Sequence, residues 1–164
     1  MSNKIFKSIF TIASVVLLIT ASSCDPSKKY AEDEKSAISS YLLDNSSLKF
    51  ELKPSGLYFL EVAAGTGLQA EVHDTAYVIY KGMFLSGTSF DTNVGKDTLI
   101  FPVNEGWMIP GFDESITYMK VGGKAHVLIP SNLAYGPTGY YMIGGYTPLL
   151  YDIELARLVK TAAK

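Results

Sequence analysis

A chain of 164 residues, 48% hydrophobic and 18% charged, has the size and balance of one globular domain plus a leader, with enough apolar material for a core. Its formal net charge of −2 provides no basic surface of the kind that holds nucleic acid. Residues 1–23 carry Lys4 and Lys7, no acid, and an apolar run from Ile9 to Ile19. That is the pattern of a secretory signal peptide, too short and wrongly flanked to span a membrane.

Thr20-Ala21-Ser22-Ser23 leads into Cys24, the sole cysteine. Small residues at this place resemble a bacterial lipobox, in which cleavage precedes the cysteine and lipid is attached to its sulfur and new amino terminus. Plain secretion is the other reading, but it leaves a lone thiol in an oxidising compartment, a liability that acylation removes. The expectation is a protein held at Cys24 to a bacterial envelope membrane, facing the periplasm or the cell surface. Asp25 to Lys53 starts polar and becomes weakly amphipathic. It predicts a tether followed by a short helix around Glu32 to Leu43, with Glu32, Asp33 and Glu34 as a solvated helix start.

Pro54-Ser55-Gly56 breaks the chain, and from Leu57 the period turns from helical to extended. The organisation predicted is therefore a signal peptide (1–23), a tether with a short helix (24–54) and one folded domain (55–164). Strands are expected at Leu57 to Ala63 and within Val72 to Phe84, where Ala76, Val78 and Tyr80 share one face and Tyr77 and Ile79 the other. A turn at Leu85-Ser86-Gly87-Thr88 leads to a strand at Ser89 to Asp91, a polar loop, and a strand at Leu99 to Val103. Phe112, Ile116 and Met119 fall at i, i+4 and i+7, so they line one face of a short helix between Pro110-Gly111 and Gly122-Gly123. A helix that short is marginal alone and must be held by the surrounding β sequence. Lys124 to Ile129 and Leu149 to Val159 complete the strands, with a long loop from Leu133 to Pro148.

Conventional catalytic signatures are missing. His73 and His126 are the only histidines, and no Cys, His and acid spacing suits a metal. There is no G-x-S-x-G, Walker A or dinucleotide fingerprint. Gly122-Gly123-Lys124 joins a helix to a strand, the reverse of a phosphate loop, and reads as a turn. What calls for explanation is the surplus of aromatics, with 11 tyrosines and 8 phenylalanines.

In chain order, Tyr80-Lys81-Gly82-Met83, Gly87-Thr88-Ser89-Phe90-Asp91, Ile109-Pro110-Gly111-Phe112, Met119-Lys120-Val121-Gly122-Gly123-Lys124-Ala125, Ile129-Pro130, Leu133-Ala134-Tyr135-Gly136 and Tyr151-Asp152-Ile153-Glu154-Leu155 resemble the ordered signature of the FKBP-type peptidyl-prolyl cis-trans isomerases. Ser55-Gly56-Leu57-Tyr58 is similar to the lead-in of bacterial members, and the likeness runs over about residues 55 to 158. The resemblance implies an α+β fold, a five- or six-stranded antiparallel sheet wrapped around one short helix, which agrees with the periodicity. It implies an isomerase without cofactor or metal that assists folding of exported proteins. X-Pro segments of those clients are the implied partners, and macrolides of the rapamycin type the implied inhibitors. A weakly catalytic peptide-binding chaperone or scaffold using the same pocket is the alternative, and a small-ligand-binding lipoprotein a third reading.

Carried over by position, Tyr80, Phe90, Phe112, Ile109 and Tyr151 wall a proline pocket, with Met108 at its rim. Asp91 sets polarity near the substrate carbonyl, while the Tyr135 hydroxyl and the Ile109 backbone N–H donate hydrogen bonds. Ala134 lies beside Tyr135, Leu99 and Tyr140 at the outer wall, and Ile143 on an overhanging loop. The structural alternatives are ordinary core aromatics, a turn or cap role for Asp91, and a locally bonded tyrosine at Tyr135. This chain departs from the family pattern in several places. Phe112 stands where tryptophan is common, Leu99 and Tyr151 where phenylalanine is usual, and Ile143-Gly144-Gly145 where Ile-Pro-Pro is common, which predicts a freer loop. The basic partner of the aspartate is at best Lys96.

Overall fold

The longest extended stretches pair with each other and set the frame. In the computed structural model, which describes residues 26–161, β3 (Thr75–Phe84) and β7 (Leu149–Val159) run antiparallel from Thr75 opposite Val159 to Phe84 opposite Leu149, with a bulge between Tyr77 and Val78. Around them lie β1 (Glu51–Leu52), β2 (Tyr58–Ala63), β4 (Ser89–Thr92), β5 (Leu99–Pro102) and β6 (Lys124–Ile129). The sheet has seven strands in the order β1-β2-β6-β7-β3-β4, with β5 also paired to β3. All its pairings are antiparallel. The count exceeds the expected five or six because β1 is a two-residue addition at one edge and β5 pairs beyond the main order.

Alternation assigns the two faces. Ala76 and Val78 of β3, Ala125, Val127 and Ile129 of β6, and Leu149, Tyr151, Ile153 and Leu155 of β7 point inward with Phe112 and Ile116. Intervening residues Met83, Leu128 and Leu150 form a second cluster on the opposite face with Ile38, Tyr41 and Leu42. Each fully buried Leu, Ile or Phe in these clusters contributes about 1.5–3 kcal/mol.

The inner face closes on α2 (Pro110–Thr117), about two turns long. Proline stands at its start, and the Ile109 carbonyl accepts the N–H groups of Phe112 and Asp113 at 3.0 and 3.1 Å. The helix ends before Met119, expected as its last inward residue. Tyr118 and Met119 donate to Ser115 and Ile116 in a tightened final turn, and Met119 remains 3% exposed.

The larger difference lies at the other end. α1 runs from Pro26 to Asp44, 19 residues, so the polar stretch expected as a tether is helical. Pro26 opens it, and Ala, Lys and Glu then sustain it. Ile38, Tyr41 and Leu42 pack it on the sheet face away from α2. Both α1 and β1 precede residue 55, the expected start of the domain, and both pack on it. The expected signal peptide (1–23) and Cys24 lie outside the described residues. No helix among the described residues is long and apolar enough to cross a membrane.

Candidate functional site

Four rings from four separate elements meet at one end of the inner face. The Phe112 ring at the start of α2 lies 5.1 Å from Tyr151 of β7, edge on, and 5.7 Å from Tyr80 of β3, also edge on. Phe90 of β4 contacts Tyr151 edge on at 5.8 Å. Such pairs contribute roughly 0.5–1.5 kcal/mol beyond burial. Gly82 makes the arrangement possible: a Cβ there would lie 2.7 Å from the Phe90 ring and 3.0 Å from Tyr151. Phe101 of β5, which sequence reasoning did not single out, backs Phe112 at 5.9 Å. Leu99, two residues earlier on the same strand, packs at the core margin.

Polar groups fringe this apolar cluster. The Tyr80 hydroxyl donates to Asp91 Oδ2 at 2.6 Å. Burial raises the Tyr80 hydroxyl pKa far above the ordinary tyrosine range, and the Asp91 carboxylate adds to the effect. Burial likewise raises Tyr151, with Tyr135, Tyr80 and Asp91 contributing. Tyr135 is raised by burial, then by Tyr140 and Asp91. All three hydroxyls therefore remain protonated donors at neutral pH. Those of Tyr135 and Tyr151 have no hydrogen-bond partner among the described residues, and neither has the Ile109 N–H. Lys96 does not serve Asp91; its Nζ donates to the Thr92 carbonyl at 3.4 Å.

Asn93 fixes the strand end that carries Asp91. Its buried amide accepts the Tyr80 N–H at 2.7 Å and donates to the Val78 and Asp97 carbonyls at 2.9 and 3.2 Å. Sequence reading passed over it as part of a polar loop; only its burial reveals the role.

Phe90, Asp91, Tyr135, Tyr140 and Ile143 line a single hollow of about 190 Å³, with Tyr141 and Met142 at its edge. Tyr135 and Tyr140 stack at 5.2 Å, 15° from parallel. Met108 faces elsewhere, lining a separate hollow with Pro110 and Asp113. Of the other residues expected at the pocket, Phe112 and Tyr151 lie within the core and Tyr80, Leu99, Ile109 and Ala134 pack against it, and none of them lines the first hollow. Tyr140 and Ile143 exchange backbone hydrogen bonds at 2.8 Å each way around an exposed Tyr141-Met142 tip. Of the two glycines that follow, Gly145 has a packing reason rather than freedom alone: a Cβ there would sit 2.0 Å from the Pro137 carbonyl oxygen, whereas one on Gly144 would make only an ordinary contact, 3.4 Å from the Thr147 hydroxyl. Among the described residues no group of three or more His, Cys, Asp or Glu could hold a metal. His126 instead lies on the outer face, its Nδ1 2.5 Å from Asp152 Oδ1 and its Nε2 3.3 Å from the Tyr41 hydroxyl.

Comparison with known proteins finds this arrangement elsewhere. The family described as FKBP-type peptidyl-prolyl cis-trans isomerase matches residues 67–156. FkpA of Aeromonas hydrophila, an FKBP-type peptidyl-prolyl cis-trans isomerase, is 37% identical over 110 residues, 66% of this chain and 40% of that protein. Outer membrane protein MIP of Legionella longbeachae is 35% identical over 138 residues, 82% of this chain and 58% of that protein. The chain thus spans about half the length of these relatives. The crystal structure of FkpA from Escherichia coli superposes with a TM-score of 0.71 at 31% identity, covering 82% of this chain and 63% of that one. A peptidyl-prolyl cis-trans isomerase from Pseudomonas syringae gives 0.70 at 25% identity, covering 82% and 97%. Since the family match covers more than half of the sequence and takes in β3, β4, α2 and most of β7, which carry the four rings, the chain belongs to the FKBP-type peptidyl-prolyl cis-trans isomerase family.

Proposed function

We propose that the chain is a peptidyl-prolyl cis-trans isomerase that assists the folding of exported proteins, binding X-Pro segments over the Tyr80, Phe90, Phe112 and Tyr151 rings. The observation that carries the reading is the junction of an apolar ring cluster with three protonated hydroxyls and a carboxylate. Rotation about an amide costs ~18–20 kcal/mol because the twisted state loses resonance. No nucleophile is needed to lower that barrier. The planar amide is strongly polar, the twisted one less so, and an apolar surface that strips water penalises the first more than the second.

In this reading Tyr80, Phe90 and Tyr151 wall the pyrrolidine ring, and Phe112, fully buried beneath them, is the floor that backs them. Asp91 holds the Tyr80 ring by its hydroxyl and sets the field near the substrate carbonyl. The Tyr135 hydroxyl and Ile109 N–H, both without protein partners among the described residues, supply donors to the peptide. Leu99, Ala134, Tyr140 and Ile143 shape the margin, without the expected Met108, which lines a separate hollow, and macrolides of the rapamycin type would compete for the same surface. Cys24 carries the lipid that places the domain at the cell envelope, after removal of residues 1–23.

A second use of the surface, holding client segments with little turnover, is favoured by the loop tip, where Tyr141 is 94% and Met142 60% exposed. Proline-limited exchange of an X-Pro peptide, followed by NMR with the full chain in detergent, separates the two. We expect catalysed exchange that falls about tenfold or more, ~1.4 kcal/mol, in the Asp91→Leu, Tyr135→Phe double variant. Binding without catalysis supports the holding role, and equal turnover in the double variant means the site lies elsewhere.

A further inference from the structure

The outer helix reaches the loop side of the site. Glu34 is the member of the Glu32-Asp33-Glu34 run that is not exposed, so the expected solvated cluster is split. Its carboxylate oxygens accept two hydrogen bonds from one residue, the Ser131 N–H at 2.5 Å and the Ser131 hydroxyl at 2.6 Å. Ser131 is 4% exposed and begins the 3-10 turn Ser131–Leu133. Its carbonyl in turn accepts the N–H groups of Ala134 and Gly136 at 2.9 and 2.8 Å, the two residues on either side of Tyr135.

A second contact grips the far end of the same loop. Tyr30, one turn before Glu34, stacks on Tyr146 with ring centres 5.8 Å apart and planes 23° from parallel. Tyr146 donates its N–H to the Gly136 carbonyl at 2.9 Å, and Gly139 donates to Tyr135 at 3.1 Å. Residues 30 and 34 lie on one helix face, and Ile38, one turn on, is buried against Leu128 and Leu150. The helix is thus fixed to the framework at one end and to the Tyr135 loop at the other.

We propose that Glu34 is a positioning residue of the isomerase site: by fixing Ser131 it sets where the Tyr135 hydroxyl and the stacked Tyr140 ring stand beside the pocket. The inference rests on the isomerase reading given above. A carboxylate suits the task because it offers two acceptors to two donors of one residue, and bonds to a charged acceptor are short and strong. Neither Glu32 nor Asp33 can substitute, since both face solvent.

The test compares Glu34→Ala, Glu34→Gln and the control Asp33→Ala in the full chain, by X-Pro exchange kinetics and by backbone amide NMR. Glu34→Ala is expected to lower kcat about fivefold with little change in KM, because the contact positions a group for the transition state. Glu34→Gln, which keeps an acceptor for the Ser131 N–H and offers a donor to its oxygen, recovers most of the rate; Asp33→Ala has the wild-type rate. In a Tyr135→Phe background Glu34→Ala costs less than about twofold more, since its effect passes through the missing hydroxyl. Amide shifts at Ala134, Tyr135 and Gly136 move in Glu34→Ala, while those of β4 stay in place. Full activity in Glu34→Ala, or the same fold-loss with and without the Tyr135 hydroxyl, overturns the proposal. Should Glu34→Ala fail to fold, Ser131→Ala, which removes the hydroxyl that donates to Glu34, carries the same comparison. A wild-type chain without turnover overturns the functional reading instead, and unmoved amides at residues 134–136 then still refute the role of Glu34.

Discussion

The ring cluster and the loop beside it are built differently. Tyr80, Phe90, Phe112 and Tyr151 stand on β3, β4, α2 and β7, where backbone ladders and a buried helix fix each Cα, and their rings support one another. Tyr135, Tyr140 and Ile143 stand on a loop held by a few local hydrogen bonds, by Tyr30 and by Glu34. The framework side needs no outside support because its positions are the same contacts that hold the fold together. The loop side meets the core through buried Ile143 and the half-buried Tyr135, while Tyr140, Tyr141 and Met142 are largely exposed and can be altered without unfolding the protein, so they are the natural place for affinity to be tuned.

Substitutions should separate the sides by the ratio of stability lost to activity lost. Phe112→Ala is expected to have the largest effect, about 3–5 kcal/mol in denaturant unfolding, since it opens a cavity under a fully buried ring. Activity falls with it, because floor and fold are one structure. Gly82→Ala comes next: its methyl meets the end of the Phe90 ring, and roughly 1–3 kcal/mol is lost as the ring moves aside. On the loop side, Tyr140→Ala should change unfolding by no more than about 0.5 kcal/mol, as expected for a largely exposed ring, yet raise KM for X-Pro peptides. A large stability loss in Tyr140→Ala would erase the distinction between the sides.

That distinction also explains what the sequence disclosed. Lys124–Ile129 and Leu149–Val159 are expected with their observed ends, because Gly-Gly and Pro flank β-type runs rich in apolar residues that are buried on both faces. The ring residues were legible through motif order, although which of them meet edge on was not. The long α1 is partly hidden because only Ile38 along it is buried, so a helix held by Ile38, Tyr41, Leu42, the Tyr30 ring and one carboxylate looks like a polar tether. Glu34 and Ser131 are separated by 97 positions, and a pairing at that range leaves no local pattern. Asn93 sits in a run of Thr, Asn, Gly and Asp that reads as a turn, and only the three-dimensional accounting of β3 backbone groups shows it to be buried.

The smallest effect concerns protons, and it bears on both sides at once. Tyr80 and Tyr151 belong to the framework and Tyr135 to the loop, and burial raises all three above the ordinary value of 10.0. An acid whose pKa is raised on folding binds its proton more tightly in the folded state. Its contribution to stability is complete below the unfolded value and is lost as pH rises through the folded one. The unfolding midpoint should therefore begin to fall above pH 10.0, while turnover stays flat up to that point, because the donor hydroxyls are still protonated. Tyr151→Phe removes one of these hydroxyls from the framework and should make the alkaline fall in stability shallower. Tyr135→Phe should do the same to a smaller extent, since its ring is less buried, while lowering turnover across the whole pH range. A decline in turnover with its midpoint at pH 10.0, absent from Tyr135→Phe, would show that the loop hydroxyl ionises as if it stood in water, and that the loop leaves this hydroxyl wet.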